Sequence, residues 1–84
     1  MLFRSIEVAA VKVADKSLFA GNTIARTAMR KTAGVTIVAI NHEGKITANP
    51  EPSTVIYGND ILYLMGKPEM IALASNILSE PRPD

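Results

Sequence analysis

Gly34-Val35-Thr36-Ile37-Val38-Ala39-Ile40 reads as a strand, and as one without a polar face. Its odd positions carry Val35, Ile37 and Ala39 and its even ones Thr36, Val38 and Ile40, so neither side is built to meet water. Towards the C-terminus, His42-Glu43-Gly44-Lys45 is a turn, and the short strand Lys45 to Ala48 folds back on the first as a hairpin. In Asn49-Pro50-Glu51-Pro52-Ser53 the two prolines cannot donate to a ladder, so this stretch is a loop leaving the sheet edge. Tyr57-Gly58-Asn59-Asp60 is a tight turn into the last strand, Ile61 to Gly66, which is again apolar on both parities. A helix follows, with Pro68 in its first turn and Met70, Leu73, Ala74 and Ile77 spaced to face a core.

Towards the N-terminus, Gly34 stops a helix over Thr23 to Thr32 that Asn22 caps. Its core stripe is Ile24, Ala28 and Thr27, with Arg26, Arg30 and Lys31 on other faces. Asp15 to Asn22 is rich in turn formers, and Ser5 to Val13 is the first strand. There Ile6 and Val8 share one parity and Val11 and Val13 the other, which predicts a bulge where the parity switches. The elements run β-α-β-β-β-α: an α+β domain with a small, mostly antiparallel sheet and two helices. No repeat or linker divides the chain, so residues 1–84 form one domain.

Two short helices can shield only one side of such a sheet, yet its strands are apolar on both. Covering a further few hundred Å² would contribute several kcal/mol at about 25 cal/mol per Å², a large amount for a domain of this size. The expected cover is a second copy, in a homodimer formed sheet to sheet or strand to strand.

The composition excludes several other classes of function. Nine Lys and Arg stand against eight Asp and Glu, a net charge of +1 with no basic cluster, which argues against a nucleic-acid partner. There is no cysteine, hence no disulfide, thiolate metal site or thiol nucleophile. One histidine and scattered carboxylates provide neither a metal-ligand motif nor a convincing catalytic arrangement, so we expect neither an enzyme nor a cofactor. The longest apolar runs fall far short of the ~20 residues that span a bilayer, and Met1-Leu2-Phe3-Arg4 lacks a secretory signal. A chain that opens almost directly into a strand and ends Pro81-Arg82-Pro83-Asp84 is expected to be a soluble piece of a longer polypeptide.

The ordered set Gly21-Asn22-Thr23-Ile24, Met29-Arg30, Gly34-Val35-Thr36-Ile37-Val38-Ala39-Ile40, Asn49-Pro50, Gly58-Asn59-Asp60 and Ile61-Leu62-Tyr63-Leu64-Met65-Gly66 resembles the RCK C-terminal, or TrkA-C, domain from Val11 to Leu78. The resemblance implies a dimeric cytoplasmic domain carried by a soluble gating protein or by the cytoplasmic tail of a membrane-embedded cation transporter, and the expectation here is a transporter domain within the same parent polypeptide. Tyr63-Leu64-Met65-Gly66-Lys67-Pro68-Glu69 looks most like cation:proton antiporter members; potassium channels and uptake systems carry the domain too. Several members bind the small nucleotide cyclic di-AMP across the dimer cleft. In them an arginine matching Arg30, with apolar side chains beside it, holds the ligand. On that basis the candidate ligand residues are Met29, Arg30, Thr36, Ile37, His42 and Pro52. Thr27 stands where members often carry leucine, Arg26 where they carry an acidic residue, and Thr36 where an asparagine can bond the ligand. These departures bear on the ligand, not on the fold.

Each candidate also has a plain structural reading. Arg30 suits the negative end of the helix dipole as well as a phosphate. His42 is a solvated turn residue, or else stacks on a base or titrates near neutral pH. Asp60 accepts backbone N–H groups of its own turn. Pro50 and Pro52 stiffen a loop, or one of their rings forms part of a ligand wall, and of the four methionines, otherwise core filler, only Met29 belongs near the cleft. The competing functional expectation is an assembly module with no ligand of its own.

Overall fold

The computed structural model describes residues 5–83, so Met1 to Arg4 and Asp84 lie outside it. The elements are β1 (Glu7–Lys12), α1 (Ile24–Thr27), α2 (Met29–Ala33), β2 (Thr36–His42), β3 (Lys45–Ala48), β4 (Ile61–Gly66) and α3 (Pro68–Ser79). The strands form one sheet in the order β1-β4-β2-β3, every pairing antiparallel, which is the α+β architecture expected.

Register explains the two-faced strands. Val8, Met65 and Thr36 lie in one cross-strand row, and Ala10, Tyr63, Ala39 and Ala48 in the next. Residues paired across antiparallel strands share a face. The alternate row, Val11, Leu62 and Ile40, is buried under the helices, where Leu64 and Val13 join it. Ile71, Ala74 and Leu78 of α3 and Met29 and Ala33 of α2 complete this core. The helices pack only on that side, and Val8 and Ile46, each 59% exposed, mark the uncovered one.

Four local expectations need correction. The pairing of β1 with β4 is unbroken from Glu7↔Gly66 to Lys12↔Ile61; the bulge lies in β2, between Ile37 and Ala39. The parity switch in β1 reflects apolar residues on both faces. The helix over 23–32 is split, because Ala28 adopts a left-handed conformation (φ 49°, ψ 40°) between α1 and α2, and Ala28 is exposed, not core. The cap is Thr23, whose Oγ1 accepts the Arg26 N–H at 3.3 Å, and not Asn22. In α3 the buried stripe is Ile71, Ala74 and Leu78, while Leu73 is exposed.

The remaining signals read as expected. Gly34 (φ 76°) ends α2, its N–H donating to Met29 and Arg30 carbonyls at 3.0 Å each. Glu43 and Gly44, both at positive φ, make the two-residue turn of the β2-β3 hairpin. Among the described residues no helix is long and apolar enough to cross a membrane.

Candidate functional site

The split helix shapes a cavity. Thr27, 2% exposed, turns its hydroxyl back to the Ile24 carbonyl at 2.7 Å, and the left-handed Ala28 then rotates α2 relative to α1. Met29 and Ala33 enter the core as a result, while Arg30 stays exposed. The proline loop is pinned against α1 by backbone bonds from the Ala25 N–H to the Pro52 carbonyl (3.0 Å) and from the Ile24 N–H to the Thr54 carbonyl (2.9 Å). Between α1, α2, the start of β2 and this loop lies a cavity of about 370 Å³, lined by Ile24, Ala25, Ala28, Met29, Arg30, Val35, Thr36, Ile37, Pro50 and Pro52. Its size is within the range of small-molecule sites.

Arg30 is the only charged residue in that lining, and Thr36 the only other residue with a polar side chain. No carboxylate among the described residues lies within 4.0 Å of the guanidinium, so no described residue forms an ion pair with it. Apolar walls with one planar cation and one hydroxyl suit an anion that also carries a flat apolar group. They offer nothing to a metal, and no group of three His, Asp or Glu residues among the described ones could hold one.

Five of the six candidates, Met29, Arg30, Thr36, Ile37 and Pro52, therefore line one cavity. His42 does not join them. Its Nδ1 lies 2.6 Å from Asp60 Oδ1, and its ring packs against Tyr57 with centroids 4.9 Å apart. Asp60 is 2% exposed, and its other oxygen accepts the Tyr57 N–H at 2.9 Å, the turn-holding role read from the sequence. The histidine is thus neither freely solvated nor at the cavity: it fastens the end of β2 to the turn before β4. The Asp60 hydrogen bond, aided by the charges of Asp60 and Glu43 and opposed by partial desolvation, raises its pKa above the ordinary 6.5. Ile24, Ala25, Ala28, Val35 and Pro50 also line the cavity without being among the six candidates. Only Pro50 carried a signal, the neighbouring proline that makes the loop stiff.

Comparison with known proteins gives this geometry a family. The TrkA-C domain profile matches residues 8–79. No curated protein matches the sequence. Among solved structures, the RCK_C domain dimer of S. agalactiae BusR in complex with c-di-AMP is 30% identical at a TM-score of 0.80, covering 84% of this chain and 93% of that one. A structure of S. agalactiae BusR with its busAB-promotor DNA matches with the same identity and TM-score, but this chain spans 35% of it. The GsuK RCK domain is 26% identical at a TM-score of 0.77, and there the match covers 98% of this chain but 17% of the other. The charge argument against a nucleic-acid partner gains no support here, since the structure of one similar protein contains promotor DNA.

Proposed function

The chain belongs to the TrkA-C domain family, whose members regulate and bind ligands and are not enzymes, and on that premise we propose that it is the ligand-sensing domain of a cation-transport system. Two copies pair, and each offers its Arg30 cavity to an anionic nucleotide of the cyclic di-AMP class. The observation that carries this reading is the cavity lining: one guanidinium, with no ion pair to any described residue, among apolar walls and beside the Thr36 hydroxyl. Met29, Ile37 and Pro52 supply apolar surface for a base, and His42 takes no part. The c-di-AMP complex of the BusR domain dimer, at 30% identity, supports both the pairing and the ligand class.

The uncovered sheet face is the surface on which the copies meet, because Val8, Ala10, Tyr63, Met65 and Ala39 form a continuous apolar floor there. Ligand bound near the two-fold axis favours one relative orientation of the subunits, and an attached transporter, a cation:proton antiporter or a potassium system, reads that orientation. Allosteric couplings of this kind amount to about 1–3 kcal/mol. In this reading the domain works in the cytoplasm and belongs to a longer polypeptide that includes the membrane domain.

Isothermal titration calorimetry of the domain against cyclic di-AMP, with cyclic di-GMP, ATP and calcium as controls, tests the proposal. Saturable binding at one nucleotide per two chains, weakened at least ~10-fold in Arg30→Ala while the dimer persists, is the expected result. Equal affinity in Arg30→Ala would refute the role given to that side chain. A silent titration of a folded dimer would favour the second reading, a module that only holds two subunits together, for which the uncovered apolar face is the supporting observation.

A further inference from the structure

The stretch between β1 and α1 is hydrogen-bonded at each end to a part of the chain remote in sequence. At the cavity end it pairs with the proline loop: Thr23 bridges Val55, the Ile56 N–H donates to the Asn22 carbonyl at 2.8 Å, and the Gly21 N–H donates to the Ile56 carbonyl at 2.7 Å. The ladder continues into the cavity wall through the Ile24 and Ala25 bonds to Thr54 and Pro52. At the other end it pairs with residues that follow α3. Ser17 bridges Pro81, the Leu18 N–H donates to the Glu80 carbonyl at 3.0 Å, and the Arg82 N–H donates to the Lys16 carbonyl at 2.8 Å. The Arg82 guanidinium adds a bond to the Ala20 carbonyl at 2.8 Å.

Residues 16–25 are thus one thread, tied at its two ends to 52–56 and 80–82. Ser17 and Ile56, both fully buried, anchor the two ends, and Gly21 (φ 90°) makes the bend between them. A segment held at both ends by consecutive backbone bonds has little slack, so a shift at one end is felt at the other. The thread is also seated on the apolar core: Ile56 belongs to that core, and Phe19 and Ile24 pack against it.

We propose that docking of the strip Glu80 to Arg82 is coupled through this thread to the wall of the Arg30 cavity, so that the strip reports whether the cavity is filled. Coupling is reciprocal: whatever loosens the strip loosens Ile24 and Ala25, and whatever fixes the proline loop fixes the strip. The response to ligand rests on the function proposed above; the mechanical link does not.

Amide exchange by NMR on the ligand-free domain tests that link. Arg82→Ala removes a bond from an exposed side chain, and its expected effect is roughly threefold or greater acceleration at the Ile24 and Ala25 amides, with Leu62 and Leu64 of β4 unchanged. Acceleration confined to Leu18 would overturn the inference, as would a uniform acceleration that includes β4, because the first is local fraying and the second plain loss of stability. In a second arm, saturating cyclic di-AMP is expected to slow the Leu18 and Arg82 amides of the parent. Binding without that slowing refutes the coupling and spares the functional reading. If cyclic di-AMP does not bind, the functional reading fails and the ligand-free arm still decides the coupling.

Discussion

Gly58 lies against the backbone of Asp15 with no room for a side chain, and replacing it with alanine should be among the most damaging single-carbon additions to the domain. A Cβ built at Gly58 would lie 2.4 Å from the Asp15 carbonyl oxygen and 3.0 Å from its carbon. Neither side can readily retreat. The Asn59 N–H donates to the Val13 carbonyl and the Val13 N–H to the Asp60 carbonyl, both at 2.8 Å, while the Asn59 amide holds the Asp15 carboxylate at 3.1 Å. Relief therefore requires the turn and the chain after β1 to separate, at an overpacking cost of about 1–3 kcal/mol. Weakening one of the bonds between them costs about 1 kcal/mol more. The substitution also restricts the unfolded chain, which returns ~0.4–1 kcal/mol. The net loss is about 1–3.5 kcal/mol, against a total stability of roughly 4–13 kcal/mol for a domain of this length. At about 4–8 °C per kcal/mol the midpoint should fall by ~4 °C or more. Urea unfolding followed by far-ultraviolet circular dichroism measures it, with the slope m unchanged. A Gly58→Ala domain within ~0.5 kcal/mol of the parent would refute the reasoning, because the turn would then be free to move away from Asp15.

Three other outcomes follow from the geometry. Ala28→Gly removes a left-handed penalty of about 1–2 kcal/mol and restores freedom to the unfolded chain, for a net stabilisation of ~0.5–1 kcal/mol by urea unfolding; a loss would show that the alanine methyl packs better than its exposure implies. His42 has a folded-state pKa raised above 6.5, so its contribution is fully present below about pH 6.5 and fades as pH rises through the higher folded value. The stability difference between parent and His42→Gln, measured from about pH 5.5 to 8.5, should therefore shrink with rising pH, and a difference that grows would reverse the assignment. Val8→Lys, on the uncovered face, should leave the monomer folded while sedimentation velocity shows the dimer weakened by about 3 kcal/mol or more; an unaltered dimer would move the interface elsewhere.

Much of this architecture could be read from residues that constrain the backbone locally. β4 occupies the predicted Ile61 to Gly66, the hairpin turn falls on Glu43 and Gly44, and Gly34 ends the helix where a residue able to adopt positive φ was needed. The break at Ala28 left no trace, because alanine is the strongest helix former and the left-handed geometry is imposed by burying Thr27, Met29 and Ala33 together. In α3 two overlapping stripes fit a helical period, and only the surface beneath selects Ile71 and Leu78 over Leu73. The His42–Asp60 bond was closer to legible: Asn41 pairs with Ile61, so antiparallel register puts the next residue of β2 beside the one before β4. The ribbon between 21–25 and 52–56 was not legible, since backbone bonds between distant segments carry no side-chain signature.

The position of β4 also governs how the chain can assemble during synthesis. It is the last strand made, yet it stands in the middle of the sheet, between β1 and β2. Until residue 66 has left the ribosome, β1 has no neighbour and the β2-β3 hairpin must wait alone, marginal in water as isolated hairpins are. At ~5–20 residues per second that interval is about 3–10 s for β1, during which its valines are available to any chaperone or neighbouring nascent chain. A rare-codon pause between residues 48 and 61 would lengthen this exposure, whereas a circular permutant that begins at β4 would place the central strand first and allow the sheet to grow outward from it.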